Sequence, residues 1–261
     1  MTVSARMQQS QRESRKRRIS CWTPQLQETQ RNAAGRVLLR SKAFTLLMEP
    51  RRGGRLLELS DKRAERNLLS GGWTDHLWNL RARVRDFERG RVAELSDLPL
   101  GPYSARVKEK GDFVRAELVR KARLGKAALR VAKTVTLPAR GRRALFAHRL
   151  TNESDRSLEF LFASEFTLSL KDAHVNRIGE APGVKRFAVL DPAAGLNVAW
   201  VFSRPARLWY FPLESGSGRR RLYHGVKLTG VWPVKLAPRK SWTVRWEWKV
   251  EEPDGGHLRQ E

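Results

Sequence analysis

The chain has 261 residues, 40% of them apolar and nine of them tryptophan, which is enough bulk for a real core and unlike a disordered chain. Its formal charge is +25, from 52 Lys and Arg against 27 Asp and Glu, so polyanions are attracted to it whatever else it does. The single cysteine, Cys21, excludes an internal disulfide and a cysteine-built zinc site; no apolar run is long enough to span a bilayer, and no apolar stretch follows the basic N-terminus as in a secretory signal, so a cytoplasmic protein is expected.

Residues 1–34 are rich in Gln, Ser and Arg, with RESRKRR at 12–18, and read as a mobile basic leader. Residues 1–36 hold eight cations and two glutamates, which leaves +19 of the +25 for the remainder of the chain. Thirty-eight of the 52 cations are arginine, a habit of composition as readily as a binding surface. Nucleic-acid binding therefore stands as an alternative that rests on charge alone.

Regular structure is expected from Gly35 to Glu252, with 253–261 a disordered tail. VLLRSKAFTLLMEP, RRGG and RLLELS read as two strands around a glycine-bearing turn, whereas 67–87, with Gly71-Gly72 and Trp73 and Trp78, read as loop with a short strand near 80–87. From Pro102 onward strand signals recur every 8–12 residues: 103–109, 113–124, 129–138 and 144–151, the last running into the turn-former NESDRS. Then comes SLEFLFASEFTLSLK, Ser157 to Lys171. Its even positions Leu158, Phe160, Phe162, Phe166, Leu168 and Leu170 are broken only by Ser164, so that face belongs to a core. The odd face mixes Leu161 and Ala163 with Glu159, Glu165 and Thr167. Further strands are read at 187–191, 196–203, 206–214, 221–233 and 241–251. Ten or more strands without a long amphipathic helix make an all-β protein, and their length favours a large antiparallel two-sheet sandwich over a small barrel.

SLEFLFASEFTLSL, ARLWYFPLES, RLYHGVKLTGVWPVKLAP and SWTVRWEWKV, with VLLRSKAFTLLMEPRRGGRLLELSDKRAERNLL upstream, resemble the C-terminal domain of alpha-amylase/4-alpha-glucanotransferase enzymes of glycoside hydrolase family 57. The resemblance runs from about Gly35 to Glu252, with 70–103 shortened and diverged. It implies a galactose mutarotase-like sandwich and an origin in α-glucan metabolism. It does not imply catalysis, because that family's catalytic groups sit in an N-terminal barrel for which this chain has no room. The reading is a non-catalytic, carbohydrate-associated domain that binds α-glucan or maltooligosaccharide, or docks to a separate catalytic barrel chain. A sugar-active enzyme, epimerase-like or a remnant hydrolase, is the alternative.

Retaining glycosidases need two carboxylates about 5 Å apart. Glu159 and Glu165 share a face but lie about 20 Å apart along a strand; Glu165 with Glu214 from another strand stays open. An epimerase-like acid–base pair of His148 and Glu165 fails if their strands pair across NESDRS, since His148 then faces Phe160 in the core and Glu165 points away. His224 shares a face with Leu222, Val226 and Leu228 and is read as structural. The five histidines lack metal-ligand spacing, so neither a metal nor another cofactor is expected. Trp242, Trp246 and Trp248 read as core, whereas Trp209 and Trp232, next to prolines near strand ends, are expected to be more exposed. The candidate carbohydrate-binding residues are therefore Glu165, Trp209, Glu214 and Trp232. An arginine is the expected counter-ion for Glu165.

Overall fold

The computed structural model describes residues 30–31, 35–170, 175, 177–216 and 222–251; most of the expected leader, Cys21 and the expected tail lie outside them. Among the described residues, alternation along the chain becomes fifteen strands. The first six are β1 (Gln30–Arg31), β2 (Val37–Arg40), β3 (Phe44–Glu49), β4 (Arg55–Asp61), β5 (Arg66–Asn67) and β6 (Leu69–Trp78). The next five are β7 (Ser104–Lys110), β8 (Phe113–Leu124), β9 (Ala127–Pro138), β10 (Arg143–Asn152) and β11 (Leu158–Leu168). The last four are β12 (Gly179–Asp191), β13 (Leu196–Ser215), β14 (Leu222–Leu236) and β15 (Ser241–Glu251). Among the described residues one short α-helix, α1 (Val84–Glu88), precedes β7.

All pairings are antiparallel, and the ladder runs β1-β2-β3-β4-β6-β11-β14-β13-β15-β10-β9-β8-β7. It folds into two layers along β13, a first sheet running from β1 to β14 in that order and a second running from β15 to β7. Asn197–Phe202 pair with β15 while Arg207–Ser215 pair with β14, so one 20-residue strand belongs to both sheets. The change falls at Arg204-Pro205, where proline cannot donate to the ladder and the flanking β12 slips register twice. Between the layers, Phe166 of β11 meets Trp248 at 5.4 Å and Phe146 at 5.8 Å, and Trp73 of β6 meets Phe146 at 5.1 Å. The even face of β11 is buried as its alternation requires.

Three local expectations are corrected. The segment 69–78 is a strand rather than loop: the glycines that hid it form an irregularity, with Gly72 at φ +86° against the Leu56 carbonyl. Strands β10 and β11 are not partners; β10 pairs with β9 and β15, β11 with β6 and β14, so 153–157 cross from one sheet to the other. Asn152 anchors that crossing, its Nδ2 donating to the carbonyls of Arg156, Leu236 and Ala237. His224 is exposed, not packed with Val226 and Leu228. Gly225, at φ +147°, forms a bulge that reverses the facing of the residues before it.

Candidate functional site

On the outer face of the first sheet, Glu165 of β11 lies between Thr74 of β6 and Thr229 of β14. One carboxylate oxygen is 2.8 Å from Lys227 Nζ and the other 3.2 Å from His76 Nε2. The opposite ring nitrogen, Nδ1, is bonded to Glu94 Oε1, which also accepts from Trp78 Nε1 at 2.7 Å. Burial works against the imidazolium, but the two carboxylates outweigh it and push His76 up to about 9. Burial likewise disfavours the Glu165 carboxylate, and His76 and then Lys227 overcome it, holding it down to about 2.

Beside this cluster the same face carries a small apolar patch of Trp78, Leu161, Ala163, Trp209 and Val231. Within it Trp78 and Trp209 stack at 5.5 Å. The segment 79–95 closes over them: Phe87 of α1 contacts Trp78 at 4.7 Å and Phe211 at 5.7 Å, and Lys227 lies over the Phe87 ring. Glu94 ties the end of that strap back to β6. Chemically this is a charge lock. His76 is already protonated and Glu165 already ionised near neutrality, so neither is poised to exchange a proton, and the imidazole fills the space between the two carboxylates.

A second polar cluster sits between the sheets. Asp75, Lys133 and His148 have no exposed side-chain surface. Lys133 Nζ donates to Asp75 Oδ2 at 2.8 Å and to the Gly53 carbonyl at 2.9 Å, beneath the Trp73 ring. His148 Nε2 reaches the same carboxylate oxygen at 2.8 Å, and Ser164 donates to Asp75 Oδ1 while accepting from Trp73 Nε1. Burial pushes the Asp75 carboxyl up, but His148 and Lys133 outweigh it and keep it below its usual range; burial pushes the His148 imidazole and the Lys133 ammonium down against the pull of Asp75. The cluster joins β6 and β11 of one sheet to β9 and β10 of the other.

The four candidate residues do not converge. The expected arginine beside Glu165 is replaced by Lys227 and His76. Trp209 is 0% exposed under the strap, and Trp232 is 3% exposed in the core, stacked on Trp246; neither has the exposure expected of it, because both indoles sit on faces covered by other elements. Glu214 is exposed near the end of β13. Relative to the Glu165–Thr229 pair it stands six residues along β14, opposite Tyr223, about 20 Å away, so the two carboxylates form no glycosidase pair. His148 and Glu165 are on different sheets and do not meet. Sequence reasoning missed His76, Glu94, Lys227, Asp75 and Lys133. The interruption at Ser164 was the available signal for the buried cluster, since a hydroxyl on a core face requires a partner. Among the described residues no His, Cys, Asp and Glu group of three or more could hold a metal ion, and no helix is long and apolar enough to cross a membrane.

A family model described as "Alpha-amylase/4-alpha-glucanotransferase, C-terminal" matches residues 72–246. Among solved structures, a 4-alpha-glucanotransferase from Thermococcus litoralis superposes with a TM-score of 0.71 at 19% identity, over 85% of this chain and 39% of that one. A galactose mutarotase-like protein from Clostridium acetobutylicum gives 0.66 at 9% identity, over 87% and 98%. A putative aldose 1-epimerase from Escherichia coli gives 0.59 at 14% identity, over 82% and 98%. These likenesses show the fold. No curated protein matches the chain. The chain spans about two-fifths of the length of the glucanotransferase it resembles.

Proposed function

Because the chain belongs to the family of alpha-amylase/4-alpha-glucanotransferase C-terminal domains, we propose that it is a non-catalytic, carbohydrate-associated domain that binds α-glucan. The observation that carries this reading is the family match over 72–246, on a sandwich whose candidate carboxylates are either locked by cations or far apart. Within it, Glu214 at the exposed end of β13 is the proposed direct glucan contact. Glu165, Trp209 and Trp232 shape the sheet beneath. A second reading is docking to a catalytic partner in the cytoplasm, in keeping with a family described as the C-terminal part of alpha-amylase/4-alpha-glucanotransferase.

Titration calorimetry of the full chain with maltoheptaose, alongside a reducing-end assay, tests the proposal. Saturable binding without new reducing ends is expected. Turnover that disappears in Glu165→Gln or Glu214→Gln would overturn it in favour of an enzyme.

A further inference from the structure

The two sheets treat charge differently. On the first, charged residues directly opposite one another have opposite signs, as in Glu159–Lys235 and Glu49–Arg55. On the outer face of the second, three registers set cation against cation: Lys108 opposite Arg115, Lys121 opposite Arg130, and Arg143 opposite Lys249. Like charges at directly opposed positions destabilise a sheet. Among the described residues one carboxylate serves each pair, Glu117 on Lys108, Glu153 on Lys121, and Glu247 shared by Arg143 and Lys249, so each pair keeps one positive charge in excess. The face is therefore held at a cost that an anion would relieve.

The same face is hollowed. A cavity of about 520 Å³ crosses five strands from β13 to β8, a span of about 19 Å at the usual strand spacing and a volume typical of small-molecule sites. Arg245 stands on one side and Arg115 on the other. Thr134, Thr136 and Ser203 supply hydroxyls, and Leu145 and Ala147 give an apolar floor. Arg115 is oriented by its Nε bond to Thr136 Oγ1 at 2.9 Å. The carboxylate in the trough, Glu247, is occupied by Arg143 and Lys249. Hydroxyls and small apolar groups between two guanidinium groups suit a polyhydroxylated ring carrying an anionic ester, since guanidinium binds phosphate through paired hydrogen bonds. A nucleic-acid strand fits less well: among the described residues the exposed large apolar side chains are Leu80, Leu100, Leu145 and Leu222, with no aromatic ring among them for a base to stack on.

We infer that this trough is a binding site for phosphorylated α-glucan, with Arg115 and Arg245 as its phosphate-binding residues; the inference rests on the glucan-binding reading above and names the form of glucan. The test is titration calorimetry of the full chain with maltoheptaose, with maltoheptaose carrying one phosphate ester, and with inorganic phosphate. At least tenfold tighter binding of the phosphorylated glucan is expected. The gain should vanish in Arg115→Ala/Arg245→Ala and persist in Lys235→Ala on the other sheet. Both arginines lie outside the core, and if the double variant melts early, Arg245→Ala alone carries the test. Equal affinity for the two glucans would overturn the inference and leave the glucan-binding reading standing. Inorganic phosphate binding as tightly as the phosphorylated glucan would overturn both. A gain that survives the double substitution, or tighter competition by an oligodeoxythymidine, would also overturn it.

Discussion

His76 holds a proton between two carboxylates, and that arrangement makes the stability of the first sheet depend on pH from two sides. Its folded value of about 9 lies above the ordinary 6.5, so its contribution is complete below about pH 6.5 and is lost as pH rises through 9. Glu165, at about 2 against 4.5, contributes above 4.5 and loses that contribution as pH falls toward 2. The two describe one coupled cluster and do not add. Between about pH 6 and pH 9.5 the unfolding free energy from urea titrations should fall by about 3 kcal/mol, and the slope should disappear in His76→Gln. Glu165→Gln strands Lys227 and a buried imidazolium and should cost about 3 kcal/mol at pH 7. A Gln variant of unchanged stability with weakened maltoheptaose binding would make Glu165 a ligand contact instead.

At the scale of elements, irregular glycines decide which faces the strands present. A Cβ at Gly225 would lie 1.9 Å from the Leu168 carbonyl oxygen, at a φ of +147° that side chains rarely adopt. Gly225→Ala should therefore cost at least about 2 kcal/mol in thermal or chemical unfolding; a smaller loss would mean that the bulge relaxes. This bulge is also why the facing of His224 could not be read from alternation, which assumes an unbroken ladder. The same holds for β6, where Gly71-Gly72 masked a strand that carries Trp73 into the core and Trp78 into the outer patch. By contrast β15 was legible because it alternates without interruption, and β11 and β8 because each core face is broken only once, at Ser164 and at Arg120. The site was less legible than the fold. His76 and Lys227 reach Glu165, and Glu94 reaches His76, from three separate segments, and Trp209 is covered by a strap whose path depends on contacts far apart in the chain.

At the scale of the whole molecule, the +25 charge is not evenly borne, since the second sheet carries the opposed cation pairs. Salt screens such exposed repulsions, with a Debye length of about 10 Å at 0.1 M and about 3 Å at 1 M. The melting temperature of the full chain should rise by a few degrees between about 0.05 and 0.5 M NaCl, because screening removes more repulsion than attraction. A fall, measured by circular dichroism, would show that the ion pairs dominate instead.

The shared strand β13 also has a consequence in time. During synthesis β6 ends at Trp78, but its neighbour β11 begins at Leu158, about eighty residues later. At about 5–20 residues per second, a strand bearing Trp73, Leu77 and Trp78 waits on the order of ten seconds for its partner. Strand β10 waits still longer in sequence for β15, and the corner that joins the layers is made only when β13 leaves the ribosome. Neither layer can close early. The nascent chain therefore needs shielding from its own aromatic strands until β15 has been made, which makes its yield in a cell more sensitive to chaperone supply than its folded stability would suggest.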